Sequence, residues 1–343
     1  MSKTTASYFA GSAFFCSAAV GVSFVLGGAK AALTVLFLTV LETSLSFDNA
    51  VINAGILKNW SDVWRRRFLT WGIVVAVFGM RLIFPLVVVA IAGSMDPIRT
   101  VEMAMYQPAE YSKILTSAHH QIAAFGATFL MMVFFKFFVA RHKTEHWLSW
   151  IEGPLTRLGK MEAIEGALTL TTLLAASRML AAPMRGEFIE AGLWGIIVYI
   201  LSKGMAVLLG GDDEGHRVRV PVVQQGLCGF LYLELIDSSF SFDGVIGAFA
   251  LTNNLFFIML GLGAGAMFVR SFTLLLVENH TLIRYRYLEH GAFWAIGALA
   301  VVMMLGAGLE VPEAVTGMIG ALLIAASLGS SVLANRRQAT TLP

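Results

Sequence analysis

Glu42-Thr43-Ser44-Leu45-Ser46-Phe47-Asp48-Asn49 lies in the middle of an apolar run that extends over 31–57. Asp237-Ser238-Ser239-Phe240-Ser241-Phe242-Asp243-Gly244 lies in the same way within 226–252. Each stretch opens on an acid, carries a second acid six residues on, and contains Ser-x-Ser-Phe-Asp. A carboxylate in an apolar run is costly, so the surroundings of these two stretches decide how the chain is read.

The 343 residues are 57% hydrophobic and only 13% charged, with mean hydropathy +0.75. Soluble domains carry about a quarter charged residues, and a helix crosses a bilayer core with about 20 apolar residues. The composition therefore predicts an all-α, polytopic transmembrane helix bundle. Ten runs are candidate spans: 8–26, 31–57, 68–92, 119–139, 163–182, 190–209, 226–252, 255–277, 291–309 and 312–333. The run over 8–26 reads as a retained helix rather than a cleaved leader, being longer than a signal-peptide core. Cys16 and Cys228 both fall in apolar runs and indicate no disulfide framework. A net charge of +2 gives no basic excess for nucleic acid.

Ten spans divide the loops into two sets. Fifteen of the 24 basic residues fall on the side of the N-terminus, four on the other side and five within spans. Positive loops stay cytoplasmic, so the chain is expected in the cell membrane with both termini inside. The two signature helices then run antiparallel. Two halves, 1–182 and 190–343, would each insert five helices in opposite senses, which is an inverted-topology repeat. Arg81 follows the first signature and Arg270 the second. Ala-Phe-Gly-Ala at 124–127 matches Ala-Ile-Gly-Ala at 295–298.

An ionised Asp at a helix centre costs about 2.5–3.5 kcal/mol. Glu42, Asp48, Glu234, Asp237 and Asp243 need protons, basic partners or a bound cation. Residues six apart on a straight helix differ by about 120° in direction and about 9 Å in rise. Neither Glu42 with Asp48 nor Asp237 with Asp243 can then grip one ion alone. Serines, Asn49 and Gly244 loosen a helix, so both signature helices are expected to break at midplane and release carbonyl oxygens. The oxygen-only donor set suits hard or borderline divalent cations such as Mn²⁺, Ca²⁺ or Mg²⁺, and the same acids can relay protons. The bland alternative pairs the acids with Arg81, Arg270, Lys136 and Lys203 as interhelical glue.

Glu42-x-x-Leu45-Ser46-x-Asp48-Asn49 and Asp237-x-x-Phe240-Ser241-x-Asp243 resemble the two signatures of the TerC superfamily, over about 30–335. The chain is most similar to a branch of it classified only as a domain of unknown function. TerC members are associated with tellurite resistance and, in several cases, with manganese export. The resemblance implies a secondary transporter exporting a divalent cation, with Mn²⁺ favoured as substrate. It implies Glu42, Asp48, Asn49, Asp237 and Asp243 as ligands. Glu234, Ser46 and Ser241 join them as further oxygen donors in the two signatures. Gly244 departs from the pattern, since many members carry a polar side chain there. A non-transporting membrane scaffold or stress-resistance partner is the alternative from another class.

The remaining motifs carry less. His142-Lys143-Thr144-Glu145-His146 fits H-x-x-E-H, but five residues beside a membrane helix with basic neighbours read as a solvated face. His119, His120 and His290 fall at span ends. Gly261, Gly263 and Gly265 predict close helix contact. Residues 93–118 read as an external loop, 140–162 as an amphipathic interfacial segment and 210–225 as a hydrated linker. No P-loop is present, and no enzyme activity or organic cofactor is expected. Oligomeric state is left open by the sequence.

Overall fold

The structure is a computed structural model that describes residues 5–58, 60–140, 145–209, 227–279, 281–309, 311 and 313–341. It is all-helical, with no strand among the described residues. The helices are α1 (Thr5–Leu45), α2 (Phe47–Leu57), α3 (Asp62–Val74), a π-helical stretch (Val75–Ile83) and α4 (Phe84–Ala92). Then come α5 (Pro97–Tyr106), α6 (Pro108–Ser117), α7 (His119–Val139), α8 (Ser149–Leu158), α9 (Ile164–Ser177) and α10 (Ala182–Leu209). The chain ends with α11 (Leu227–Leu251), α12 (Leu255–Glu278), α13 (Thr281–Arg284), α14 (Leu288–Gly306) and α15 (Glu313–Thr341). The linker expected at 210–225 lies outside the described residues.

Among the described residues, six stretches are long and apolar enough to cross a membrane: Ser7–Leu45, Asp62–Ile91, His119–Val139, Leu255–Glu278, Leu288–Gly306 and Gly317–Arg337. The chain is a multi-pass helical membrane protein by this measure. The difference from ten has physical causes. α1 is two helical runs meeting at a kink at Gly28 (φ 69, ψ −165), between the runs expected over 8–26 and 31–57, and the two together are counted once among the six. That backbone region is open to glycine and strained for other residues. α9 has only 14 residues. α10 carries Arg185, Glu187, Glu190 and Lys203, and α11 carries Glu234, Asp237 and Asp243.

α7 sits at the centre, packed against α9, α10, α11 and α14. Phe129, Leu130 and Phe138 on it are fully buried. Large apolar side chains are exposed at the periphery, among them Phe14 and Val25 on α1, Trp71 on α3, Ile91 on α4 and Leu322 on α15. An apolar exterior around a packed interior is what a lipid environment allows, because burial from water no longer sorts the residues.

α1 packs along α12 at short range because glycines line the contact. Cβ atoms built on Gly261 and Gly265 would stand 2.6 Å from Leu38 Cβ and 2.5 Å from Glu42 Cβ. Thr39 on α1 donates its hydroxyl to the Gly261 carbonyl at 3.1 Å. Gly263, on the other face of α12, meets Val77. The close contact expected of these three glycines is therefore present, and it sets the depth of Glu42 against α12.

Two expectations are corrected. The segment 93–118 is not a plain loop but two short helices, α5 and α6, each entered through a proline, Pro97 and Pro108. Proline suits a first helical turn, where its missing N–H is not needed. Tyr111 of α6 is fully buried against Phe249 of α11. The second signature helix is also unbroken: α11 runs through 237–244 without interruption. Ser238 and Ser239 return their hydroxyls to the Leu235 carbonyl at 2.8 and 2.9 Å. Their polar groups are satisfied inside the helix rather than by opening it.

The 145–162 segment is pinned by one acid. Glu152, fully buried, accepts from the backbone N–H groups of Trp147 and Leu148 at 3.1 and 3.2 Å and from Trp294 Nε1 at 3.1 Å. We expect Glu152→Ala to remove about 1.5–3 kcal/mol of stability. The loss would appear as a lower unfolding temperature together with a changed Trp294 fluorescence. An unchanged melt would refute this anchoring role.

Candidate functional site

Glu42 stands in the last turn of α1, just before a one-residue interruption at Ser46 (φ −97, ψ 19). The backbone ladder still crosses it, from Ser46 N–H to the Glu42 carbonyl at 3.0 Å and from Ala50 N–H to the Ser46 carbonyl at 3.3 Å. The expected break in the first signature is therefore a bend, and neither of these carbonyls is released. The Ser46 hydroxyl donates to Glu42 Oε1 at 3.2 Å. Arg81 donates to the same oxygen from the π-helical stretch. Pro85, four residues after Arg81, has no N–H to close a regular α-turn there. A π-helix of nine residues is rare and tends to mark functional positions. Glu42 and Arg81 are 3% and 4% exposed, so the pair is buried.

The second signature has a matching pair. Arg270 on α12 donates to Glu234 Oε1 at 3.2 Å and to Asp237 Oδ2 at 3.4 Å. It also donates to the carbonyls of Phe68 and Gly72 on α3, both at 2.8 Å, and its guanidinium lies over the Phe68 ring at 4.3 Å. Gly72 makes the room: a Cβ there would stand 2.5 Å from Arg270 Nη1 and 2.6 Å from Glu234 Oε1. Asn53 on α2 donates Nδ2 to Asp237 Oδ1 at 2.8 Å.

These groups meet around one small cavity lined by Glu42, Ser46, Asn49, Arg81, Asp237, Ala266, Val269 and Arg270. It has room for about one water-sized body. Carboxylates of both signatures, a serine hydroxyl and an asparagine amide thus share one buried space with two guanidinium groups. Gly244 does more than lack a ligand. A Cβ on it would stand 3.1 Å from Glu42 Oε2, so the second signature leaves room for the acid of the first.

Not every expected residue lines this space. Asp48 is buried, its Oδ1 accepting the Asn49 N–H at 2.8 Å. A Cβ on Gly320 of α15 would lie 3.1 Å from its Oδ2. It therefore faces the last helix, in keeping with the angular separation from Glu42. The side chains of Ser241 and Asp243 lie outside the described residues, although their backbone is helical. Lys136 pairs with Glu165 at 2.8 Å and Lys203 lies over Tyr199 at 5.1 Å. Of the four basic residues weighed as partners, these two engage groups outside the signatures. His120 meets Glu187 at 3.1 Å, and His290 Nε2 lies 2.9 Å from the Glu145 carbonyl. His142 of the H-x-x-E-H stretch lies outside the described residues.

Asn53 was not singled out in the sequence. Its signal was available in retrospect: it lies four residues after Asn49, on the same face of α2.

Residues 47–338 match the family described as protein of unknown function (DUF475). The chain belongs to the DUF475 family. No curated protein and no solved structure matches it. The DUF475 match takes in Asp48, Asn49, Asn53, Arg81, the whole second signature and Arg270, while Glu42 and Ser46 lie just before it. Most of the cavity lining in this DUF475 protein therefore falls within the matched region.

Proposed function

We propose that this protein is a secondary transporter of a divalent metal cation, with Mn²⁺ the favoured substrate. One observation carries the reading: Glu42 and Asp237, one from each signature, line the same buried cavity together with Ser46 and Asn49. Oxygen donors of this kind suit a hard or borderline cation. Intramembrane ionisable residues of this sort mark ion pathways. The resemblance to the TerC superfamily supports export and the choice of Mn²⁺.

The finer architecture belongs to the same proposal. Ten spans form two inverted halves, 1–182 and 190–343, with both termini cytoplasmic. The pairing of Glu42 with Arg81 and of Asp237 with Arg270 supports the repeat, because each signature acid finds the arginine of the helical segment that follows it. In the ion-free state the arginines neutralise the acids. Cation binding displaces them or is balanced by proton release. Asp48, Asp243 and Ser241 complete the path.

Flux in reconstituted vesicles tests the reading. Asp237→Asn, Asp48→Asn and Asp243→Asn should each abolish Mn²⁺ flux while leaving expression intact. Undiminished flux in all three would sink it. The ion pairs themselves favour a second reading, a scaffold whose acids are permanently neutralised by Arg81 and Arg270. That reading predicts no metal-dependent thermal shift in the purified protein.

A further inference from the structure

We propose that Asn53 is a ligand of the cation site: it fixes Asp237 through its amide N–H and offers its amide oxygen, with that of Asn49, to the cation. The inference rests on the cation-binding reading above and adds a residue and a selectivity element to it.

Asn49 and Asn53 lie one turn apart on α2, a continuous helix over Phe47–Leu57. They are 6% and 1% exposed. The Asn53 amide has a defined sense, because its Nδ2 lies 2.8 Å from Asp237 Oδ1. The flipped amide would set two acceptor oxygens against each other. In this sense Asn53 Oδ1 is left buried without a hydrogen-bond partner, and so is Asn49 Oδ1 on the cavity wall. Glu234 Oε2, 2% exposed, is a third such oxygen. Buried polar atoms in native proteins are nearly always partnered. Of these three orphaned acceptors, Asn49 lines the cavity, while Asn53 and Glu234 adjoin the cavity-lining Asp237, one bonded to it and the other sharing its Arg270 partner. A cation beside Asp237 is the partner they lack.

The chemistry matches. Amide oxygens are hard donors and carry no charge, so they raise the coordination number without strengthening the electrostatic grip. Affinity for such cations is set by ligand charge count and rigidity. A site that must release its ion benefits from neutral donors beside its carboxylates. Asn53 serves both needs: one end of its amide holds a carboxylate in place and the other faces the ion.

The test uses the full-length protein in detergent, with Mn²⁺ binding followed by isothermal titration and unfolding followed with and without Mn²⁺. Asn53→Leu and Asn49→Ala should each weaken Mn²⁺ binding at least tenfold. Asn53→Asp should lower the metal-free unfolding temperature, because it faces Asp237 with a second charge, and enlarge the rise that Mn²⁺ produces. A residue that only braces Asp237 would lower the first without enlarging the second. Wild-type affinity in both Asn53→Leu and Asn49→Ala, with binding lost in Asp237→Asn, would overturn the inference and leave the cation reading standing. No binding of Mn²⁺, Ca²⁺ or Mg²⁺ to the wild type would overturn both. If Asn53→Leu fails to fold, Asn49→Ala and the Asn53→Asp shift decide the matter.

Discussion

Arg270→Leu is expected to destabilise the protein by about 3–5 kcal/mol, the loss seen when one partner of a buried ion pair is removed. The side chain is 3% exposed and serves four acceptors: Glu234, Asp237 and the carbonyls of Phe68 and Gly72. Leucine would leave the carboxylates of Glu234 and Asp237 without the guanidinium that bonds both of them. Arg270→Lys should recover only part of the loss, because one ammonium cannot reproduce a planar fork aimed at four oxygens. Adding Glu234→Gln to Arg270→Leu should recover part as well, by removing one of the uncompensated charges. Thermal unfolding of the three variants in detergent checks the order. An Arg270→Leu protein as stable as the wild type would show that the acids are neutralised in another way.

Gly265→Leu is expected to separate α1 from α12 and, under the proposed function, to abolish Mn²⁺ flux. A Cβ at this position already stands 2.5 Å from Glu42 Cβ, 2.6 Å from its Cγ and 3.0 Å from the Thr39 carbonyl. Overpacking costs about 1–3 kcal/mol, and most of this contact is the base of the Glu42 side chain. The helix must move or Glu42 must turn, and either change disturbs the pair with Arg81. Gly265→Ala should show a smaller effect of the same sign. Gly166→Ala on α9 is the control: nothing lies within 4 Å of a Cβ there, and alanine favours a helix over glycine. Loss of flux in Gly265→Leu with normal flux in Gly166→Ala is the expected result. Normal flux in both would mean that the α1–α12 spacing does not position the site.

Much of this was legible in the sequence because cost is legible. Acids in apolar runs are few, and their partners must be few too, so the sequence narrowed them to Arg81, Arg270, Lys136 and Lys203. Of these, Arg81 and Arg270 meet the signature acids, while Lys136 and Lys203 engage Glu165 and Tyr199. The helical class followed from the length of the apolar runs. The glycines of α12 announced a close contact through their spacing. What stayed hidden depended on local geometry. Serines can open a helix or bond back into it, and the letters alone do not choose; at Ser238 and Ser239 they bond back. The π-helical winding around Arg81 has no sequence signal beyond Pro85. Asn53 escaped notice because a neutral amide in a membrane helix is cheap enough to pass as packing, until its oxygen is found without a partner.

The hydrogen bonds from Arg270 to the carbonyls of Phe68 and Gly72 also bear on movement. Arg270 belongs to the C-terminal part of the chain and α3 to the N-terminal part, yet they are joined by two charge-assisted bonds in a setting of low dielectric. Each such bond is worth about 1.5–3 kcal/mol. A sliding surface drawn at the midpoint of the chain would have to break both. Movement of α3 away from Arg270 would therefore cost both bonds at once.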